Sequence, residues 1–483
     1  MLKQHVGIRS VADCLADTSA SVYVVGGAIR DALLGFDVKD VDLVITGLPL
    51  TEVEKKLATI GRVDVIGKRF AVLRIMLPDG IQVDVSLPRT DASFRTGRYR
   101  DVKIHADPDL PIEHDLTRRD FTINAMAWNI ASHELIDPFN GQKDLSRRVL
   151  RAVGTPTERF QEDATRILRA ARFSAMLGMT IEKDTATAIK EKLPLLQDEF
   201  ITPREVIAQE LISGLTAEPV RMLDILDELG IMAMLIPELS ATKGCAQPYE
   251  FHAEGDVWTH TRLALEALTD TQFNKTFAVT PSPQLIVTTL LHDIGKPPSQ
   301  RMPEKGSEDR IRFDRHAPKG AEIAENICTR LRLASTGDID VPTIVWLIEH
   351  HLDILNFDTM KATTIERTFL APDGRGDLLQ QLTWVDSRAS LDPTEKERGE
   401  KFHLPRRFGI LQIRLGEITK RGYRDSQPTP LLSGTDIMKI LSISSGPDIG
   451  KAIESLRNAQ LEGEITTKDQ AVAFIKKQYG AHD

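Results

Sequence analysis

The stretch Ser21-Val-Tyr-Val-Val-Gly-Gly-Ala-Ile-Arg-Asp-Ala-Leu-Leu-Gly35, with Lys39-Asp-Val-Asp-Leu-Val-Ile-Thr46 just after it, decides how the first part of this chain folds. Residues 21–25 are mostly β-branched or aromatic and read as a buried strand; Val41–Thr46 reads as a second strand, and Ala28–Leu34 between them as a helix. Gly26-Gly27 stands at the strand-to-helix turn. There the lack of side chains lets a backbone approach a polyphosphate, and free N–H groups at a helix start attract anions. Asp40 and Asp42 flank Val41, and because strand side chains alternate, both carboxylates face the same way. Two like charges on one face are costly unless cations neutralise them. Carboxylates together with substrate phosphates are the ligands Mg²⁺ prefers, and a pair of such ions activates an attacking hydroxyl and stabilises a leaving pyrophosphate. Taken singly, each motif has a plainer reading, a tight turn or a solvated strand end.

Outward from this stretch, Ala71–Leu77 and Ile81–Leu87 read as a hairpin around Pro78-Asp-Gly80. From Glu158 to about Leu239 apolar residues recur at three- and four-residue spacing (Ile167, Leu168, Ala171; Leu223, Leu226, Leu229), which reads as helix. Pro237 and Lys243-Gly244 mark a boundary. Gly255 to about Ala389 is again helical, broken by a polar loop at Pro298–Asp309, and the chain closes with a compact helical unit. The expected class is α+β. It comprises a head of mixed sheet with helices at 1–145, an all-α neck and body at 146–245, an α-helical domain at 246–395 and a helical tail at 396–483.

Composition narrows the function classes. A chain of 483 residues needs several cores, and 41% hydrophobic with 27% charged residues suits a folded globular protein. Cys14, Cys245 and Cys328 lack zinc-type spacing, which fits a reducing compartment. No apolar run approaches the ~18 residues of a membrane helix, and Met1–Ser10 lacks the pattern of a signal peptide. The expectation is a cytoplasmic protein with no membrane association and no obligate protein partner. A net charge of −9 is unhelpful for binding nucleic acid. Two stretches run against it: Lys143 to Arg172 (through Arg147, Arg148, Arg151, Arg159, Arg166 and Arg169), and Lys396 to Arg424 (through Arg406, Arg407, Arg414, Lys420 and Arg421). Such runs are usually solvated helix faces; lying beside the motifs below, they are read as RNA-binding.

Gly26–Gly35 followed by Asp40-Val-Asp42 resembles the signature of polymerase-β-like nucleotidyltransferases, in the branch holding class II CCA-adding enzymes and bacterial poly(A) polymerases. Arg118-Arg-Asp-Phe-Thr-Ile-Asn-Ala-Met-Ala127 is similar to that family's ribose- and triphosphate-contacting motif. Asp137-Pro-Phe-Asn-Gly141 with Asp144-Leu145 is similar to the next motif, and Glu162-Asp-Ala-Thr-Arg166, running on to Arg169 and Arg172, to the motif that selects the nucleotide. The resemblance implies that Asp40 and Asp42 hold Mg²⁺, with Gly26, Gly27 and Arg30 near the phosphates. It implies that Asp120 meets the ribose 2′-hydroxyl with Arg119 and Asn124 close by. Asp84, in Gln82-Val-Asp-Val-Ser86, is a candidate third catalytic carboxylate. CTP, ATP and tRNA follow as substrates.

Selection has a chemical basis. Asp163 and Arg166 are three apart on a predicted helix and share a face. An aspartate accepts from an exocyclic amine and an arginine donates to a ring nitrogen, and cytosine and adenine both offer that pair. Uracil and guanine meet the same side chains with like polarity. A mismatched buried polar group costs ~1–3 kcal/mol, so two of them give discrimination of roughly several hundredfold. A side-chain pair thus stands in for a template.

A second constellation lies further on. Leu290-Leu-His-Asp-Ile-Gly-Lys296 places His292 beside Asp293, with His260 upstream in Trp258-Thr-His260 and Asp386 downstream in Trp384-Val-Asp-Ser387. This set resembles the HD superfamily of metal-dependent phosphohydrolases. Imidazole with carboxylate suits a divalent transition metal better than Mg²⁺, and such an ion polarises a phosphate and lowers the pKa of a water. His316, His350 and His351 are further histidines, of which His316 and His350 are expected to complete a second metal position. The resemblance implies phosphodiesterase or phosphatase action on RNA 2′ or 3′ ends. The tail Leu431–Lys477 resembles, more loosely, the tRNA-contacting end of class II CCA enzymes.

The rival readings stay close. Asp163 and Arg166 fit C and A alike, and Val65–Phe70 is somewhat like a poly(A) polymerase stretch, so a poly(A) polymerase or an enzyme adding only the terminal A remains open. Arg95–Pro111, read as the loop that lets CCA enzymes switch from C to A, favours A addition over C-only addition. A phosphohydrolase whose first domain only binds RNA, and a non-catalytic RNA-binding module, both sit poorly with intact Asp40 and Asp42.

Overall fold

A computed structural model describes residues 6–38, 41–67, 72–94, 96–98, 101–304, 309–371, 373–403, 405–420, 430–443, 446–461 and 464–479. Asp40, Lys68–Phe70, Arg95, Arg421 and Arg424 of the sequence reading lie outside them. The chain divides into two compact units, Met1–Pro237 with Arg330–Thr336, and Glu238–Thr329 with Gly337–Asp483. The expected head and most of the expected neck fall in the first unit, and most of the HD region and the tail in the second; residues 238–245 of the expected neck go with the second unit and Arg330–Thr336 of the HD region with the first.

The first unit is built on a seven-stranded sheet. Its strands are β1 (Ser21–Val25), β2 (Asp42–Thr46), β3 (Arg62–Gly67), β4 (Val72–Met76), β5 (Gln82–Ser86), β8 (Ala127–Asn129) and β9 (Leu135–Ile136), in the order β3-β4-β5-β2-β1-β8-β9. All pairs are antiparallel except β2–β5, which run parallel and place Asp42 opposite Asp84. Pro78-Asp-Gly80 closes the β4–β5 hairpin as expected: Gly80 adopts φ 85° and the Ile81 N–H donates to Asp79 Oδ1 at 3.1 Å. One face of the sheet buries Ile8, Val11 and Leu15 of the helix Val6–Leu15 with Val53 and Leu57 of the helix Leu50–Leu57. Val25, Val44, Ile112, Leu116 and Ala127 gather in a second apolar cluster. Each fully buried aliphatic side chain contributes ~1.5–3 kcal/mol, so β1 and β2, covered on both faces, are a rigid base for whatever their ends carry.

Arg95–Pro111 is not a loop throughout. Val102–Ala106 (β7) pairs antiparallel with Arg89–Ser93 (β6) as a separate ribbon. The cause is readable afterwards: in Val102-Lys-Ile-His-Ala106 apolar residues alternate with polar ones at the strand period. The rest of the unit is mostly helical, including Pro156–Glu162, Thr165–Leu177 and Arg204–Ala217, with one short parallel pair between Val149–Leu150 and Thr180–Ile181.

The second unit packs Val257–Leu268, Pro283–Leu291, Val341–His350 and Arg375–Ala389 together. Ser282 accepts from the Leu285 N–H at 3.2 Å and Pro283 occupies the first turn, so a nearly all-buried helix starts cleanly and delivers His292 at its end. Gly295 is required by packing, since a Cβ there would lie 2.1 Å from the His316 carbonyl oxygen. In the tail, after the helix Arg406–Lys420, the helices Gly434–Leu441, Pro447–Leu461 and Lys468–Tyr479 pack around Leu432, Ile437, Leu456 and Ile475. No helix among the described residues is long and apolar enough to cross a membrane.

Candidate active-site cleft and candidate metal centre

The carboxyl end of β1 and the start of β2 open into a cleft of ≈ 650 Å³. Gly26 takes φ 72°, a backbone state that favours glycine, and a Cβ there would sit 2.6 Å from Arg119 Nη1. Gly27 opens the helix Gly27–Leu34, whose Arg30 donates to Asn124 Oδ1 at 2.8 Å and pairs with Asp31. Asp42, Asp84, Asp120, Asn124, Arg119, Asp163, Arg166 and Arg169 line the same cleft. Every described nucleotide-site and carboxylate residue expected from sequence is therefore brought together; Asp40 lies outside the described residues. Seven arginines and four aspartates line the cleft, and guanidinium donors gathered in this way suit a triphosphate.

Two expectations change in detail. Asp163 is not on a helix with Arg166. It sits in extended backbone (φ −154°, ψ 104°) at the break between Pro156–Glu162 and Thr165–Leu177, accepting from the Thr165 N–H at 2.9 Å. A short acceptor side chain there competes with helix continuation and starts the next helix instead. Arg166 follows in the first turn, held by Glu162 Oε2 at 2.9 Å and by the carbonyls of Arg159 and Arg118. The two side chains still meet at the cleft wall. Asp84 stands beside Asp42 but places both oxygens on Arg74, at 2.7 and 2.8 Å. That pairing lifts Arg74 above its ordinary value and fixes the Asp84 carboxylate beside Asp42 in the cleft lining.

Asp120 is buried, and accepts from the Phe121 N–H, Asn124 Nδ2 and both Arg169 Nε and Nη2. Burial pushes its carboxyl up, but Arg169 and Asn124 more than offset that and hold it below the ordinary value. Several contributors were not in the expected site. Fully buried Asp115 divides its oxygens between Arg118 (2.7 Å) and Arg119 (3.1 Å), fixing both guanidiniums at the cleft. Glu210 anchors Arg172 at 2.5 Å, and Arg172 lies 4.3 Å over the Phe173 ring. Asp137 caps the helix Gly141–Ser146, and Asp144 accepts from Thr122 Oγ1 at 2.8 Å, so that motif buttresses the Thr122–Asn124 turn from outside. Much of the expected basic surface is also committed to the fold: Arg159 is buried against Glu162 and the Val153 carbonyl, and Arg407 and Arg414 bind carbonyls at Leu355–Met360.

In the second unit His260, His292 and Asp386 converge. His260 Nε2 is 3.0 Å from Asp386 Oδ1 and 3.3 Å from His292 Nε2. The tautomers follow from the partners. His292 Nδ1 faces the Thr289 carbonyl (2.7 Å), His316 Nδ1 the Phe313 carbonyl (2.9 Å) and His351 Nδ1 the Ile348 carbonyl (2.6 Å). A carbonyl only accepts, so each Nδ1 donates and each neutral ring turns an Nε2 lone pair inward. Asp293, His316 and His351 form a second group, with Asp293 Oδ1 at 3.6 Å from His316 Nε2 and 3.9 Å from His351 Nε2. Asp293 Oδ2 reaches towards the first group, 3.4 Å from His292 Nε2, and also meets Lys296 Nζ at 2.6 Å. His350 does not take part. It turns to Asp353 (2.8 Å) and lies against Trp346, because Val341–His350 ends there and the next turn swings His351 inward.

This donor set fits a divalent ion. Bonds of ~2.0–2.2 Å imply neighbouring donors about 3.0–3.5 Å apart, close to the separations of the first group. Buried His316 Nε2 has no hydrogen-bond partner among the described residues. Burial pushes Asp293 and Asp386 up, yet Lys296 with the neighbouring histidines holds Asp293, and His260 with His292 holds Asp386, well below the carboxylate range. Burial pushes His260 down, but Asp386 and Glu254 raise it to about 10, so the site favours a positive charge at Nε2. His351, lowered to about 4 chiefly by burial, keeps its lone pair.

Residues 22–151 match the poly A polymerase head domain and residues 270–371 the HD domain. The multifunctional CCA protein of Laribacter hongkongensis is 36% identical over 328 residues, covering 67% of this chain and 73% of that one. Among solved structures, the Bacillus stearothermophilus CCA-adding enzyme in complex with CTP aligns over 97% of this chain and 96% of that one, with TM-score 0.61 and 21% identity. The Thermotoga maritima CCA-adding enzyme complexed with tRNA aligns over 97% and 94%, with TM-score 0.59 and 20% identity. At that identity the likeness is one of fold.

Proposed function

The chain belongs to the multifunctional CCA protein family, and from that premise we propose that its first unit adds C, C and then A, from CTP and ATP, to the 3′ end of tRNA without a template. One observation carries this reading: a single cleft holds the Gly26-Gly27 turn, the Asp42 carboxylate and the Asp163–Arg166 wall. The RNA 3′ oxygen forms the new bond at the α-phosphorus as the bond to pyrophosphate breaks. The glycine turn and the arginines around it receive the triphosphate, with Arg118 and Arg119 kept in place by Asp115. Asp120, fixed by Arg169, faces the ribose, while Asp163 and Arg166 take the amine and ring nitrogen of cytosine or adenine. Asp42, with Asp40 two residues before it, would hold Mg²⁺, which supplies charge neutralisation and an activated 3′ hydroxyl when bound.

In the second unit His260, His292 and Asp386, with Asp293, His316 and His351, would hold divalent transition-metal ions whose chemistry is phosphate-ester hydrolysis. The substrate class proposed is an RNA 2′ or 3′ phosphate end.

The test offers Mg²⁺ with CTP, ATP or both to tRNA transcripts ending before CCA, after C and after CC. Growth of the shortest transcript to a full CCA end that then stops is the expected result. Addition of A to the CC-ending transcript alone, or an open-ended A ladder, would replace the reading with an A-adding enzyme or a poly(A) polymerase.

A further inference from the structure

We propose that Glu254 is a positioning residue of the histidine–aspartate centre: it sets the ring of His260 and ties that ring to the helix carrying Asp386. The proposal rests on the metal-centre reading above. The Glu254 side chain is 1% exposed and accepts three hydrogen bonds. Oε1 takes the Nδ1–H of His260 at 2.9 Å and of His252 at 2.7 Å, and Oε2 takes the Leu391 N–H at 2.9 Å. A second bond, from the Ala253 N–H to the Leu391 carbonyl at 2.8 Å, closes a bracket between these segments. Leu391 lies just past the helix Arg375–Ala389, which presents Asp386 to His260 Nε2. One carboxylate therefore fixes both the tautomer of His260 and its distance from a ligand far along the chain.

His260 differs from the other three rings in its backing. His292, His316 and His351 donate Nδ1–H to backbone carbonyls, whereas His260 donates to an ionised carboxylate. A neutral acceptor would fix the tautomer equally well. A charge does more, because it raises the donor strength of the opposite nitrogen; partners of this kind typically change metal affinity ~10–100-fold when removed. Burying a carboxylate is costly unless its oxygens are satisfied, and here three donors satisfy them. Glu254 thus acts on the group His260, His292 and Asp386, while His316 and His351 of the second group are backed by carbonyls alone.

The experiment strips the full-length protein with a chelator and titrates it with Co²⁺ alone, reading affinity by calorimetry and ligand field by visible absorption. Wild type, E254Q, E254D and H292A are compared, with thermal melting and nucleotide addition as checks on folding. The expected result is a ~10–100-fold loss of affinity at one site in E254Q with an altered absorption spectrum, partial recovery in E254D, and nucleotide addition within twofold of wild type. Wild-type affinity and an unchanged spectrum in folded E254Q overturn the proposal. Should E254Q fail to fold, E254D carries the test, a shifted spectrum supporting the proposal and an unchanged one overturning it. Absence of Co²⁺ binding in wild type, or binding untouched by H292A, instead overturns the metal-centre reading beneath it.

Discussion

The cleft of the first unit and the centre of the second answer opposite electrostatic problems. In the cleft, carboxylates and guanidiniums are already paired, Asp84 with Arg74, Asp120 with Arg169 and Asp115 with Arg118 and Arg119. Other guanidiniums that line the cleft are held in the same way, Arg30 by Asp31, Arg166 by Glu162 and Arg172 by Glu210, so the donors an anion would meet are already oriented. In the second unit, acceptors converge: four inward-facing Nε2 atoms and two aspartates meet in a buried space, with Lys296 the lysine in contact. That arrangement is adverse unless a cation enters. The lesson is that oriented guanidiniums mark a place for an anion, and converging ring nitrogens and carboxylates a place for a cation.

The largest expected effect breaks the first side of this contrast. Asp42→Ala should cut nucleotide incorporation by ~10³-fold or more, the loss of several kcal/mol of metal-mediated stabilisation, with tRNA binding nearly intact. Incorporation within tenfold of wild type, by single-turnover assay, would remove Asp42 from the metal site. On the other side, His292→Ala should abolish phosphate-ester hydrolysis and at least one Co²⁺ site while sparing nucleotide addition; joint loss of both activities in folded protein would contradict two independent sites. Asp163→Asn sharpens the cleft's part. Asparagine caps a helix as well as aspartate, so the start of Thr165–Leu177 should hold while preference for C and A over U and G falls ~10–100-fold, measured with each nucleotide in turn.

The smallest effect is on stability. The Asp120 carboxyl is held below its ordinary 3.8 by Arg169 despite burial. Its folded pKa is depressed, so its contribution is fully present above pH ~3.8 and is lost as pH falls through the folded value. Asp120→Asn should flatten the acid limb of the melting temperature below about pH 3.8; an unchanged limb would place the acid sensitivity elsewhere.

How much was legible in the sequence follows the range of the interactions. The Gly26-Gly27 turn, the strands on either side and the Asp42 face are set by neighbours within a few residues, and the fold places them as the pattern implies. The spacing from Asp115 to Arg118 and Arg119 is that of helical neighbours and could have been read. His350 and His351 are adjacent, and only the end of a helix decides which faces inward, a matter of one residue that periodicity does not resolve. Asp163 was placed one element too far in because its capping role competes with helix propensity. Arg74, Glu210 and Glu254 carry no local signal; each gains its partner from tertiary contact alone.

The four donated Nδ1 protons of His260, His292, His316 and His351 also bear on rates. Rings pinned in this way have almost no rotameric freedom left to surrender when an ion arrives, so association carries little ordering entropy. Departure requires no ligand to swing aside, and His260, His292 and His351 are nearly inaccessible to solvent. Exchange should then be governed by how often the surrounding helices open, making residence time a measure of local unfolding rather than of bond strength.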